Sequence, residues 1–374
     1  QYRNLLGQEC DLLIFDTYAG FNPDALGALS GTVRAGGLVI LLTPTDQDWL
    51  SFVDPEHNKL CVEPVTIKAI SHHYIRRLIQ VFNTNTHHLT LTETDDAPLS
   101  QEQALASFSI PEGGISTERH ACGSCTQGQA DAVGEIVALA KSTEPSALVL
   151  SADRGRGKSA ALGLAAAQIL IDKSVLNTAK PFTLLVTSPN PQAVATLFHH
   201  AKSRLVDFDS FRESSLNFNL NKHSLRFIPP DELSLTLPDA DLVLVDEAAA
   251  IPQQLLAPVI RHYQKLVCAT TIHGYEGTGR GFEYKLKPQI QAGFPQCVFR
   301  HLSRPIRFGT NDMLERVVNR LLALDVDAPV SPRLDPISAS SSSFGLRLWS
   351  KTELVEKREA LEAIFALMVY AHYR

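Results

Sequence analysis

Residues 147–161 read ALVLSADRGRGKSAA. An apolar strand runs into a loop with two glycines, ends in Gly157-Lys158-Ser159 and enters an alanine-rich stretch with high helix propensity. Strand, GKS loop and helix in that order are the setting of a Walker A phosphate loop. The residue types suit the chemistry. Glycine lets backbone N–H groups turn inward around phosphates, a lysine ammonium reaches the β- and γ-oxygens, and a serine hydroxyl ligates magnesium. The new helix points its positive N-terminus at the anion. Ala152 stands where the usual first glycine of the loop would be, five positions before Gly157. The match therefore rests on context rather than on a complete pattern.

A second stretch, LVLVDEAAAIP at 242–252, has four apolar residues followed by two acids, the end of a Walker B strand. Asp246 is positioned to hold magnesium, and Glu247 to act as general base on the attacking water. Alone it could be a buried strand ending in a solvated turn. Its place roughly 90 residues after the GKS, an ordinary spacing for one α/β domain, favours the nucleotide reading. Three weaker signals fit the same site. Gln129 precedes the loop by about one strand, and its amide can read an adenine edge. Thr270 and Thr271 end the strand after the acid pair, where a hydroxyl can sense a γ-phosphate. Arg280, on a glycine-rich loop, and Arg307 could each bring positive charge to a transferring phosphoryl group. For Gln129 and for each arginine a surface position is the plain alternative.

Alternating elements surround these motifs. From about 126 the order is helix, strand (147–150), phosphate loop, helix (159–171), strand (182–187) and helix (191–204). Strands then follow at 225–228, 242–245, 266–271 and 297–302, the plan of a doubly wound α/β domain. Upstream, DLLIFD at 11–16 and LVILLTP at 38–44 read as strands flanking a helix that starts at Asn22-Pro23-Asp24 and ends at Gly36-Gly37, a βαβ unit without a phosphate loop. The polar stretch 95–114 suggests a boundary near 115. The Pro- and Ser-rich stretch 323–344 suggests a linker, followed by a strand at 346–350 and a helix at 352–370. The expected organisation is an N-terminal Rossmann-like α/β domain (1–115), a RecA-like P-loop NTPase domain (116–325) and the start of a further domain (326–374). The first residue, Gln1, and the ending at Arg374 inside a helical pattern read as cuts in a longer protein.

The 374 residues carry a net charge of −6 and 44% hydrophobic residues, enough for real cores and no sign of a chain coated for nucleic acid. Of six cysteines, only Cys122 and Cys125 form a CxxC pair. With His120 they fall short of the roughly four ligands zinc takes, so reduced thiols are expected. No apolar run reaches the roughly 20 residues that span a bilayer. A cytoplasmic setting is the default.

Only one GKS and one DEA occur, and about 70 residues follow Arg307, too few for a second motor domain. That disfavours a processive helicase and favours a single ATP-driven unit that assists another domain. GFNPDALGALSGTVRAGG (20–37), SADRGRGKSA (151–160), VDEAAAIP (245–252), GYEGTGRGF (274–282), RPIRF (304–308) and AHYR (371–374) together resemble the bacterial tRNA(Met) cytidine acetyltransferase family, in the family's order. Ala152 is no departure there. Phe308 stands where the family more usually has tryptophan.

The resemblance implies an N-terminal α/β domain, a RecA-like ATPase, a GNAT acetyltransferase domain and a tRNA-binding part. It also implies ATP, Mg2+ and acetyl-CoA as cofactors, and N4-acetylcytidine formation at the wobble position of elongator tRNA(Met). It assigns ATP contacts to Gln129, to Ser151, Ala152, Asp153, Arg154, Gly155, Arg156, Gly157, Lys158, Ser159 and Ala160, and to Arg280. It places the start of the GNAT domain at 326–374, with the acetyl-CoA loop beyond Arg374. Two other readings stand beside it: a nucleic-acid-remodelling ATPase without acyl chemistry, and a nucleotide-binding scaffold that does not hydrolyse.

Overall fold

The computed structural model describes residues 9–84, 89–92, 118–176, 179–271, 282, 286–310, 312–324, 326 and 346–372. The polar stretch 95–114, the linker at 327–344 and Arg280 lie outside them. The chain divides into two compact units. One comprises Gln1–Asp11, Gly31–Leu38 and Pro111–Asp312; the other comprises Leu12–Ser30, Val39–Ile110 and Met313–Arg374.

The first unit is built on an eight-stranded sheet. Its strands are β3 (Ser146–Ala152), β4 (Thr183–Thr187), β5 (Phe211–Ser214), β6 (Asn217–Leu220), β7 (His223–Phe227), β8 (Leu242–Val245), β9 (Lys265–Thr271) and β10 (Gln296–Leu302). They lie side by side in the order β10-β3-β9-β8-β4-β7-β6-β5. β10, β3, β9, β8, β4 and β7 run parallel; β6 and β5 complete an antiparallel edge.

Period-two alternation divides each central strand between two cores. Leu148, Leu150, Leu184, Val186, Leu242, Leu244, Val267 and Ala269 face one side. There they meet α3 (Gln127–Lys141), α4 (Lys158–Val175) and α5 (Ala195–Leu205) through Ile136, Leu162, Ile169 and Leu197. Val149, Leu185, Val243, Val245, Leu266 and Cys268 face the other side, covered by Leu256, Val259 and Ile260 of α7 (Gln253–His262) and Ile290 of α8 (Lys287–Gly293). Strands buried on both faces explain why they read as unbroken apolar runs. The α4–α5 crossing is close: a Cβ at Gly163 would lie 2.2 Å from the Leu197 carbonyl oxygen.

The antiparallel edge has no clear mark in the sequence. Residues 211–220 are mixed polar and aromatic, with a turn at Ser215 in the left-handed region (φ 46°) that no glycine announces.

In the second unit, α1 (Pro23–Ser30) and α2 (His73–Asn83) both pack on α9 (Met313–Leu322), burying Leu26, Ile75, Leu78, Val318 and Leu321. Arg77 reaches across, donating to the Arg320 carbonyl at 2.9 Å and pairing with Glu362 at 3.7 Å. Phe21 gathers Phe15, Trp49 and Tyr74 into an aromatic cluster, and the buried Asp54 carboxylate accepts from its backbone N–H at 3.0 Å.

The strands β1 (Cys10–Asp16) and β2 (Val33–Leu42) pair in a separate two-stranded sheet. Strand, helix, strand therefore holds, with one correction. The helix ends at Ser30, Gly31 and Thr32 form a turn, and Gly36-Gly37 lie inside β2, because the β-branched Val33 already starts the strand. A Cβ at Gly37 would sit 2.9 Å from the Asp11 carbonyl oxygen, so glycine there serves a close backbone approach.

Residues 346–350 form no strand. Leu346 and Leu348 are exposed, and Trp349 takes the guanidinium of Arg347 on its ring at 3.7 Å. The helix expected at 352–370 is two: α10 (Lys351–Glu356), closed by a Ser350–Glu353 capping box, and α11 (Arg358–His372). Among the described residues no helix is long and apolar enough to cross a membrane.

Candidate functional site: the phosphate loop and the acid pair

The sheet order decides what can meet. β9 lies between β3, which carries the phosphate loop at its C-terminal end, and β8, which carries the acid pair at its own. Parallel pairing puts Thr270 opposite Ser151 and Thr271 opposite Ala152. Loop, acid pair and threonines thus converge at the carboxyl edge of the sheet, where open α/β folds place their ligands.

The loop bends through Gly155 (φ 75°) and Gly157 (φ 76°), and α4 begins at Lys158. Both glycines use backbone conformations that cost other residues about 1 kcal/mol or more. Lys158 folds back over the loop. Its ammonium is buried and donates to the carbonyls of Ala152 and Asp153, each at 3.3 Å. Burial pushes its pKa down, and the Glu247 and then the Asp246 carboxylate push back. The N-terminal turn of α4 therefore combines a buried cation with the N–H end of a helix, two features that favour an anion.

Asp246 is fully buried. Its carboxylate accepts from the Glu247 backbone N–H at 3.0 Å, and the Ser159 hydroxyl favours its charged form. Burial first, and the Glu247 charge second, raise its pKa from 3.8 to about 7. Glu247 stands in the left-handed region (φ 49°, ψ 46°), unusual for a non-glycine residue, and its carboxylate accepts from the Thr271 hydroxyl at 3.2 Å. Among the described residues, three buried oxygens at these strand ends have no hydrogen-bond partner: Asp246 Oδ2, Thr187 Oγ1 and Thr270 Oγ1. Buried polar atoms are rarely left so without a ligand to meet them.

Gln129 and Arg307 sit in places the sequence does not specify. Gln129 is buried; its Oε1 accepts from the Cys125 N–H at 3.0 Å and its Nε2 donates to the Gly157 carbonyl at 3.0 Å. It braces the phosphate loop against the turn before α3, which Thr126 caps. The Arg307 guanidinium is engaged by Glu9 at 3.2 Å and by the Gly31 carbonyl at 3.2 Å. Its neighbours are what touch the loop. The Ile306 N–H donates to the Gly155 carbonyl at 3.0 Å, and the Phe308 ring lies under the Arg156 guanidinium, 5.5 Å from its centroid. Sequence reasoning misses Ile306 and Thr187, because an aliphatic residue or a strand-end threonine carries no signal without the sheet order.

Cys122 and Cys125 are separate thiols, as are the other four cysteines, and no group of three or more metal-ligating side chains occurs among the described residues.

Residues 149–325 match the model for the RNA cytidine acetyltransferase NAT10/TcmA helicase domain, and residues 1–93 the model for the N-terminal part of tRNA(Met) cytidine acetyltransferase TmcA. The chain is 36% identical over 99% of its length to the TmcA of Nitrosococcus halophilus, covering 48% of that protein. It is 34% identical over 100% of its length to the TmcA of Vibrio cholerae, covering 46% of it. The chain thus spans about half the length of the curated relatives it matches. The large terminase of a thermophilic bacteriophage overlays at a TM-score of 0.34, with 10% identity over 47% of this chain and 45% of that one. Residues 1–93 and 149–325 thus match the N-terminal and helicase domains of the tRNA(Met) cytidine acetyltransferases.

Proposed function

We propose that this chain is the ATP-hydrolysing part of an enzyme that forms N4-acetylcytidine at the wobble position of elongator tRNA(Met), with acetyl-CoA as donor. The observation that carries the reading is the convergence of Lys158, Ser159, Asp246 and Glu247 at one edge of the sheet, in a chain that matches these two domains. Lys158 meets the β- and γ-phosphates and Glu247 takes a proton from the attacking water. Arg280 supplies further positive charge to the phosphoryl group, and Gln129 holds Gly157 for the nucleotide. Cytosine N4 is a weak nucleophile, its lone pair delocalised into the ring, so presenting it to the thioester is worth several kcal/mol. ATP turnover drives that presentation. Extruding a base costs only a few kcal/mol, within reach of one ATP. Six free thiols suit a reducing cytoplasm.

The orphaned oxygens of Asp246, Thr187 and Thr270, beside the Ser159 hydroxyl, fit a hydrated Mg2+. Asp246 and Ser159 would hold it, directly or through water, and the ion would neutralise charge on the β- and γ-oxygens. A carboxyl whose pKa rises from 3.8 to about 7 keeps its proton in the folded chain while it would lose it in the unfolded one. The native state then binds the extra proton, and stability from this group falls as pH climbs through that window. The metal needs the ionised form. Binding of Mg2+ with a non-hydrolysable ATP analogue therefore tightens as pH rises, by about tenfold per unit below pH 7, and levels off above it. An Asp246→Asn titration should be flat by comparison.

The test of the function is phosphate release by the intact protein with and without elongator tRNA(Met), alongside acetylation of that tRNA with ATP present or withheld. Release that rises several-fold with tRNA, and acetylation that depends on ATP, are expected. Acetylation at full rate without ATP would overturn the coupling. RNA strand separation with no acetyl transfer would replace the reading with a remodelling ATPase.

A further inference from the structure

The ATPase reading assigns the base to Glu247, and the fold shows what aims it. Glu247 follows the last residues of β8 on a backbone turned into the left-handed region, where its own strand no longer holds it. A glutamate on such a turn has three side-chain rotors and many orientations. Two contacts remove that freedom. The Asp246 carboxylate accepts from the Glu247 backbone N–H and pins the turn. The Thr271 hydroxyl, from the end of the neighbouring strand β9, donates to Glu247 Oε2 at 3.2 Å, with Oε1 at 3.5 Å. Threonine can do this because β9 is inserted between the phosphate-loop strand and the acid-pair strand, which puts its last residue level with Ala152 and within reach of the acid pair. The two threonines are not equivalent. Thr270 is fully buried and its hydroxyl has no hydrogen-bond partner among the described residues, whereas Thr271 is half-buried and its hydroxyl is committed to the carboxylate.

We propose that Thr271 is the positioning residue of the hydrolytic base: its hydroxyl fixes the Glu247 carboxylate so that one oxygen faces the attacking water beside the phosphate loop. This rests on the ATPase reading and assigns Thr271 a role different from sensing a γ-phosphate. A sensor touches the nucleotide and changes its affinity. A positioning residue touches only the base and changes turnover. One donor of this kind on a charged acceptor affects the rate by about tenfold or more.

The experiment is steady-state phosphate release by the intact protein and its Thr271→Val and Thr271→Ser variants, with separate binding of ADP and of a non-hydrolysable ATP analogue. Valine keeps the branched shape and deletes the donor; serine keeps the donor. The expected result is a fall in kcat of about tenfold or more for T271V at unchanged KM, with kcat recovered in T271S and both nucleotides bound as in the parent. Unchanged kcat in T271V, or T271V weakening the ATP analogue relative to ADP, would overturn the positioning role, the second in favour of a γ-phosphate sensor. A loss in both variants together with lowered thermal stability would reduce Thr271 to a packing residue. The ATPase reading fails by a different sign: no turnover by the parent protein itself.

Discussion

Glu247→Gln should lower phosphate release by about a hundredfold or more while ATP stays bound, because removing a general base costs about 10²–10⁴ in rate. Glutamine keeps the length of the side chain and can still accept from the Thr271 hydroxyl and present its backbone N–H to Asp246, so the turn at Glu247 survives. What disappears is the capacity to take a proton. Two electrostatic changes accompany it. Lys158 loses the carboxylate that does most to keep its buried ammonium charged, and Asp246 loses the charged neighbour that helps raise its pKa. Both changes act on binding and metal affinity, and they oppose each other. The measurement is phosphate release at saturating ATP together with equilibrium binding of a fluorescent ATP analogue. Retained binding with lost turnover supports the assignment. Retained turnover would remove Glu247 from the base role and would leave the chain a site that holds nucleotide with its chemistry elsewhere.

The second large effect is structural. Gly163→Val should destabilise the ATPase unit by about 3 kcal/mol or more, at the upper end of overpacking in a closed core. Two terms compete. Glycine in a helix interior costs about 1 kcal/mol relative to alanine, so a side chain would gain propensity. Against this, the new Cβ meets the Leu197 carbonyl oxygen at 2.2 Å, with the Ala201 nitrogen at 3.2 Å. Those are backbone atoms of α5, which cannot step aside as a rotamer can. α4 also carries Lys158 at its first turn, so a displaced helix moves the phosphate loop. For a unit of this size the loss is about 6–12 °C in Tm by differential scanning fluorimetry. A variant that melts with the parent protein would show that the helices can part at little cost.

Much of this is legible in the chain. The phosphate loop, the acid pair and the central strands announce themselves because fully buried parallel strands are unbroken apolar runs, and because phosphate chemistry restricts residue types tightly. Legibility fails where the deciding fact is a partner distant in sequence. Gln129 reads as a ligand contact on its amide chemistry, yet its hydrogen bonds to Cys125 and Gly157 depend on how the turn before α3 meets the loop. Arg307 looks like a phosphoryl partner by charge alone, while Glu9 and Gly31, nearly 300 positions away, take its guanidinium. The β5–β6 edge lacks a glycine turn and alternates weakly, so no local rule exposes it. At 346–350 the alternation is real, but among the described residues no strand pairs with it.

A Cβ on Gly157 would meet both Gln129 Nε2, at 2.3 Å, and Ile306 Cδ1, at 2.4 Å. Three positions spread across nearly half the chain therefore share one small volume. For the history of the family this means that a side chain can appear at 157 only in a lineage that has also shortened 129 and 306. Aligned sequences should show glycine unchanging at 157 wherever 129 and 306 keep long side chains, a statistical trace of the loop's geometry that can be read in any genome without a structure.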